Sequence, residues 1–367
     1  MRASVAAALL VPVIAANLSL SAQEARLPAR LDDRAFWQLV SELSEPGGFF
    51  EDENYVSNEL GYQRVMSRLQ AEVAPGGVFV GVGPEQNFAY IAATRPAIAF
   101  IVDIRRQNLV QHLMYKALFE LATDRADFLS RLFSRPRPSG LAEDATVGDL
   151  FNAYSAVSTD PGLFDRTSTA IFDVLTARHG FALDDVDRAS VTKVLAAFRD
   201  QGPDLRYVFR GTPELHPTYA QMMTAEDPAG RAWSYLASME TFEYIRRMHA
   251  NNLIVPVAGD FAGPKALRAT GAWLRARGAR VSLFYASNVE PYLFAAGTWR
   301  AFYENLEAIP LAEDGLIVRA FFGSAMRECA TLRPTIRTPV VGLLRATLEA
   351  FRGNRIASQC DLVLLSR

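Results

Sequence analysis

Residues 78–104 read VFVGVGPEQNFAYIAATRPAIAFIVDI, and the fold turns on them. Val78-Phe79-Val80 is a β-branched and aromatic run that stops at Gly81-Val82-Gly83, where glycine lets the backbone turn tightly. Pro84 suits a first helical turn, and a helix-compatible stretch runs from there to Ala93. A second apolar run, Ile98 to Val102, ends at Asp103. Strand, glycine turn, helix, strand and acid within about 30 residues predict a right-handed βαβ crossover.

Working outward, residues 23–74 read as a helical lead-in. Phe36, Leu39, Val40 and Leu43 fit one helical face, Pro46-Gly47-Gly48 stops it, and Val65 and Leu69 suggest a second helix. Downstream, Arg105 to Arg131 reads as one helix ended by Pro136 and Pro138. From Leu150 to His249 only helical patterns recur, at 171–175, 191–198 and 233–248, so 105–250 is expected to be a large helical insertion after the second strand. Strands resume at Leu253–Val257 before Gly259-Asp260, at Ala279–Tyr285 and at Leu316–Phe322. Helices are expected at 263–277, with Gly278 as the stop, and at 298–309. Cys360 to Leu365 is expected as a late edge strand. The whole is an α/β chain with a doubly wound, mainly parallel Rossmann-like sheet, formed by 75–104 and 251–367.

Composition narrows the function. The chain has 367 residues, 50% hydrophobic and 21% charged, which is too ordinary for a disordered protein. A formal net charge of -2 gives no general attraction to nucleic acid. Met1-Arg2, an apolar run to Leu20 and small residues up to Ala22 have the layout of a secretory signal peptide cleaved after Ala22. A periplasmic or secreted chain follows, with a cytoplasmic one as the alternative if translation begins later. No later segment reaches about 18 consecutive apolar residues, so no membrane span is expected in the mature chain. Two cysteines exclude a disulfide-framework fold and a four-cysteine zinc site. Cys329 and Cys360 are either a pair closing a loop of about 30 residues or two buried thiols.

Three features fall at carboxyl ends of expected strands: Gly81-Val82-Gly83, Asp103 and Gly259-Asp260. Doubly wound sheets hold a small-molecule ligand along that edge. Asp103, about 20 residues past the glycine turn, is spaced to accept hydrogen bonds from two ribose hydroxyls. Asp260 is placed to accept from an adenine amino group. Other chemistries fail: the four histidines show no His-Glu-x-x-His spacing, and there is no Gly-x-Ser-x-Gly elbow or Gly-x-x-x-x-Gly-Lys loop. A nicotinamide site wants a third glycine where Gln86 stands.

At these residues the chain resembles the class I S-adenosylmethionine-dependent methyltransferase superfamily. The matching segments are VFVGVGPEQNFAYI (78–91), AFIVDI (99–104), LIVPVAGDF (253–261) and VSLFYASNVEPYL (281–293). The resemblance implies S-adenosylmethionine as cofactor, held by Gly81, Gly83, Glu85, Asp103 and Asp260, with Asn288, Glu290 and Tyr292 beside the transferred methyl. The insertion would wall the acceptor, with Tyr207, Tyr219 and Trp233 as lining aromatics. Two departures stand out. The family usually has an acid at the position of Phe79 and a third glycine at that of Glu85, so Glu85 either replaces the missing acid or obstructs the site. Export sets a second expectation beside the enzyme: S-adenosylmethionine is made in the cytosol, so an exported chain could be a non-catalytic relative binding another ligand or a protein partner.

Overall fold

The computed structural model describes residues 26–51, 54–142, 144–208, 216–321, 329 and 339–366. The expected signal segment lies outside the described residues. Six strands form one mixed, mostly parallel sheet: β1 (Val78–Gly81), β2 (Ile98–Asp103), β3 (Ile254–Ala258), β4 (Val281–Ser287), β5 (Leu311–Arg319) and β6 (Val340–Leu343). Their order across the sheet is β3-β2-β1-β4-β5-β6. All neighbours are parallel except β5 and β6. β1, β2 and β3 are buried along their whole length, as their unbroken apolar runs demand.

The lead-in gives α1 (Asp33–Leu43) and α2 (Gln63–Glu72). Asp32 caps α1 by accepting from the Ala35 amide, and Phe36, Leu39, Val40 and Leu43 are its buried stripe. Helix α3 (Gln86–Thr94) completes the β1–β2 crossover. Between β2 and β3 come α4 (Arg106–Leu121), α5 (Arg125–Phe133), α6 (Val147–Ser155), α7 (Pro161–Phe172), α8 (Asp185–Gln201), α9 (Tyr219–Thr224) and α10 (Met239–Ala250). Helix α4 packs directly on β2 and β3, while α8 and α10 pack on α4. So α4 belongs to the sheet, and the later helices stand on it. After β3 follow α11 (Ala266–Arg275), α12 (Val289–Ala296) and α13 (Trp299–Glu307), then, beyond β6, α14 (Leu344–Arg352) and α15 (Gln359–Leu364). Among the described residues no helix is long and apolar enough to cross a membrane.

Three expectations need correction, each for a capping reason. The helix expected over 105–131 is two, because the Asp124 side chain accepts from the Asp127 amide and starts α5 afresh. The pattern at 233–248 is helical only from Met239, where Ser238 and Thr241 form a capping box. The edge strand expected at 360–365 is a helix, because Asp361 takes the amides of Ala357 and Ser358. The last strand is instead the short β6.

Cys329 and Cys360 form a disulfide with α-carbons 5.3 Å apart, closing a loop of sequence separation 31. Replacing both with serine should lower the unfolding free energy by about 3 kcal/mol, read by urea denaturation. An unchanged midpoint would mean the closed loop contributes nothing.

Candidate functional site

The strand order reverses between β1 and β4, and just beyond β1 lies the glycine turn. Its two glycines do different work. A β-carbon on Gly81 would fall 2.0 Å from Asn87 Oδ1 and 2.6 Å from the Phe79 ring, so Gly81 is a packing requirement. Gly83 has φ +79°, and a β-carbon there would meet nothing within 4 Å. The turn is pinned from below: the Asn87 amide donates to the carbonyls of Val82, Gly83 and Pro84 at 2.9, 3.0 and 2.7 Å. His112 Nε2 donates to the Gly83 carbonyl at 2.9 Å. Burial pulls that imidazole down to about 4, so it is neutral and holds its proton on Nε2.

The register pairs Gly81 with Ile101 and Asp103 with Ala258. Gly83, Asp103 and Asp260 therefore lie along one carboxyl edge, beyond β1, at the end of β2 and beyond β3. Asp103 is 5% exposed. Its Oδ1 accepts the Arg105 amide at 2.9 Å and Arg105 Nε at 3.1 Å, and its Oδ2 accepts Nη2 at 3.1 Å. The carboxylate expected to take a ribose thus holds a guanidinium. Asp260 Oδ1 accepts the Ala262 amide at 2.9 Å, so it closes its own turn.

What the sequence reading missed is the loop between α1 and α2. It crosses this edge strand by strand, in their spatial order. At β3, the Glu45 amide donates to the Ala258 carbonyl, and Glu45 Oε1 accepts the Lys265 and Ala266 amides at the start of α11. Past β2, the Gly48 amide donates to the Ile104 carbonyl at 2.7 Å, and the Phe50 ring lies 5.6 Å from the Arg105 guanidinium. Past β1, the Ser57 amide donates to Glu85 Oε1 at 3.1 Å. At β4, Glu59 accepts from Tyr285 at 2.8 Å, from Ser287 Oγ, and from Gln86 Nε2 at 3.1 Å. The signal was the non-periodic polar stretch Ser57-Asn58-Glu59 in a loop, where functional groups concentrate.

Two buried carboxyls result. Burial raises Glu59, with its three donors offsetting in part. Burial pushes Glu85 up to about 7, and its Oε2 has no protein partner among the described residues. The Tyr62 and Tyr115 hydroxyls are likewise unpartnered there. A cleft of about 390 Å³, lined by Gly47, Phe49, Phe50, Arg105, Arg106 and Asp187 among others, reaches the Arg105 clamp from outside.

The family model described as Domain of unknown function (DUF7790) matches residues 55–141 and 180–334. The chain belongs to the DUF7790 family. Its matched segments take in Glu59, Glu85, Asp103, Asp260 and Ser287, so the whole edge from β3 to β4 falls inside the DUF7790 match, while α1 and Glu45 precede it. No curated protein matches the chain.

The residues expected beside the reacting group part company. Asn288 follows β4 at the same edge, its Oδ1 3.3 Å from Ser287 Oγ. Glu290 faces inward: it accepts from Tyr303 at 2.6 Å and pairs with Arg319 Nε at 2.7 Å, both acid and base being fully buried. Arg319 also donates to Thr347, so this pair braces α12, α13, β5 and α14. Tyr292 is 41% exposed and meets the Phe50 ring edge-on at 5.3 Å. Of the aromatics assigned to the acceptor wall, Tyr219 is buried against the Tyr235 hydroxyl inside the insertion, while the Trp233 indole donates to Asp227 at 2.8 Å and its amide to Gln63 of α2 at 3.1 Å.

Glu290→Gln should strand the buried Arg319 charge and cost about 3–5 kcal/mol of stability by urea denaturation. Glu85 gives a pH signature. Its native carboxyl keeps a proton between about 4.5, the ordinary value, and about 7, where the unfolded chain has lost it. Stability should therefore fall by about 3 kcal/mol as pH rises through that window, then level off. In Glu85→Gln that part of the decline should vanish, leaving the decline that the raised Glu59 contributes.

Proposed function

We propose that this DUF7790 protein is a methyltransferase-like α/β protein, its sheet doubly wound in the Rossmann manner, that binds S-adenosylmethionine at the carboxyl edge. The observation that carries this reading is the alignment of Gly83, Asp103 and Asp260 on three adjoining strand ends beside the reversal of strand order. The residues fit such a group. The open space over Gly83 admits a ligand against the backbone, and Asp103 Oδ2 accepts one bond, leaving a lone pair for a ribose hydroxyl. Asp260 stands on the adenine side and Glu85 beyond the turn. The cofactor would supply an electrophilic methyl, and the chain's own work is to hold the nucleophile in line with it.

Export is part of the proposal, and the Cys329–Cys360 disulfide supports an oxidising compartment. A second reading, a non-catalytic relative that binds another ligand or a protein partner, is favoured by one observation: the Arg105 clamp on Asp103.

Thermal shift and calorimetry separate the two. S-adenosylmethionine or S-adenosylhomocysteine at about 100 times its dissociation constant should add about 2.7 kcal/mol of stability. Asp103→Ala should abolish the effect, and Arg105→Ala, which frees the carboxylate, should strengthen it. No shift in either the native protein or Arg105→Ala would leave the second reading standing.

A further inference from the structure

Ser287 ends β4 with φ +50°, a left-handed conformation that a side chain other than glycine adopts only at a cost. It stands on β4 beside the reversal of strand order: Val80 of β1 pairs with Phe284, three residues before it, and Ser287 itself, past an irregularity after Tyr285, is in register with Arg319 of β5. The unusual backbone delivers its hydroxyl to Glu59, a carboxylate brought in from the α1–α2 loop. That carboxylate is fixed from two further sides by Tyr285 and Gln86. Ser287 has one proton to donate, and Glu59 takes it. Its two lone pairs remain, on a side chain that is only half-buried while Glu59 is 3% exposed. The Asn288 carbonyl oxygen, 3.3 Å away, is a second acceptor at the same point.

We propose that Ser287, held by Glu59, is the group that takes the proton-bearing end of the methyl acceptor, an amine or a hydroxyl, with Glu59 as the positioning residue behind it. The inference rests on the methyltransferase-like reading and deepens it, replacing the inward-facing Glu290 at the reacting position. As the new bond from the acceptor's nitrogen or oxygen to the methyl carbon forms, the carbon–sulfur bond breaks and its electron pair stays on sulfur. The acceptor's proton passes to Ser287 Oγ while the serine's own proton moves to Glu59. The buried carboxylate, raised by its surroundings, is a better resting place for that proton than an exposed one.

Sinefungin tests this without knowledge of the acceptor, because its extra ammonium group occupies the place of the transferred methyl. Calorimetry on the full chain should show sinefungin binding at least about 10-fold more tightly than S-adenosylhomocysteine. Ser287→Gly, Ser287→Ala and Glu59→Gln should each bring that ratio close to one while leaving S-adenosylhomocysteine affinity unchanged. The glycine variant relieves the left-handed strain, so its melting temperature should exceed that of the alanine variant and guard against misfolding as a cause. If S-adenosylhomocysteine binds and the ratio survives in Ser287→Gly, the role of Ser287 is overturned and the cofactor reading stands. If neither ligand binds the native protein, the cofactor reading itself fails and this inference falls with it.

Discussion

The loop between α1 and α2 is tied in turn to the ends of β3, β2, β1 and β4, through Glu45, Gly48, Ser57 and Glu59. Neighbouring strands are about 4.8 Å apart, so the four ends span roughly 15 Å. The 15 residues from Glu45 to Glu59 could reach about three times as far, so the chain makes the crossing without being stretched. This connection decides what the edge is. Without it Glu59 would be absent, Glu85 would lose the amide on its Oε1, and the start of α11 would lose the carboxylate that holds its first amides. The same loop brings Phe50 against both Arg105 and Tyr292, so the guanidinium on Asp103 and the first turns of α12 share one lid of aromatic contact.

Buried parallel strands announce themselves, and that is why the sheet was legible. Val78–Val80, Ile98–Val102 and Leu253–Val257 are short apolar runs bounded by turn residues, and each is a strand. Their ends place Gly83, Asp103 and Asp260 on one edge as a matter of chain geometry. Side-chain partners do not follow from such runs. Arg105 is only two residues from Asp103, yet nothing in the local pattern distinguishes a solvated helix start from a clamp on the carboxylate. Glu59 lies 22 residues before Gly81, in a loop without periodicity. Glu290 fails differently. The stretch after β4 is helix α12, and at about 100° per residue positions 288, 290 and 292 cannot face one way. Asn288 stays at the edge, Glu290 turns into the core and Tyr292 turns to solvent.

The electrostatics of the edge follow from these placements. Asp103 has a cation in direct contact, whereas the hydrogen-bond partners of Glu59 and Glu85 are all neutral. His112, the one imidazole under the glycine turn, is held neutral by burial and supplies no charge. Two carboxyls without counter-ions, the unpartnered Glu85 Oε2, and lone pairs on Ser287 and Asn288 gather acceptors on the β1 and β4 side of the edge. An acceptor that stands alone, as Glu85 Oε2 does, costs stability, since it has left water without replacement. A ligand bringing amino or hydroxyl protons would recover part of that cost on binding, while an anion would add to it. The strain at Ser287 points in the same direction. A backbone held in the left-handed region by a strand on one side and a helix on the other aims one hydroxyl, and it aims it where the strand order opens the sheet.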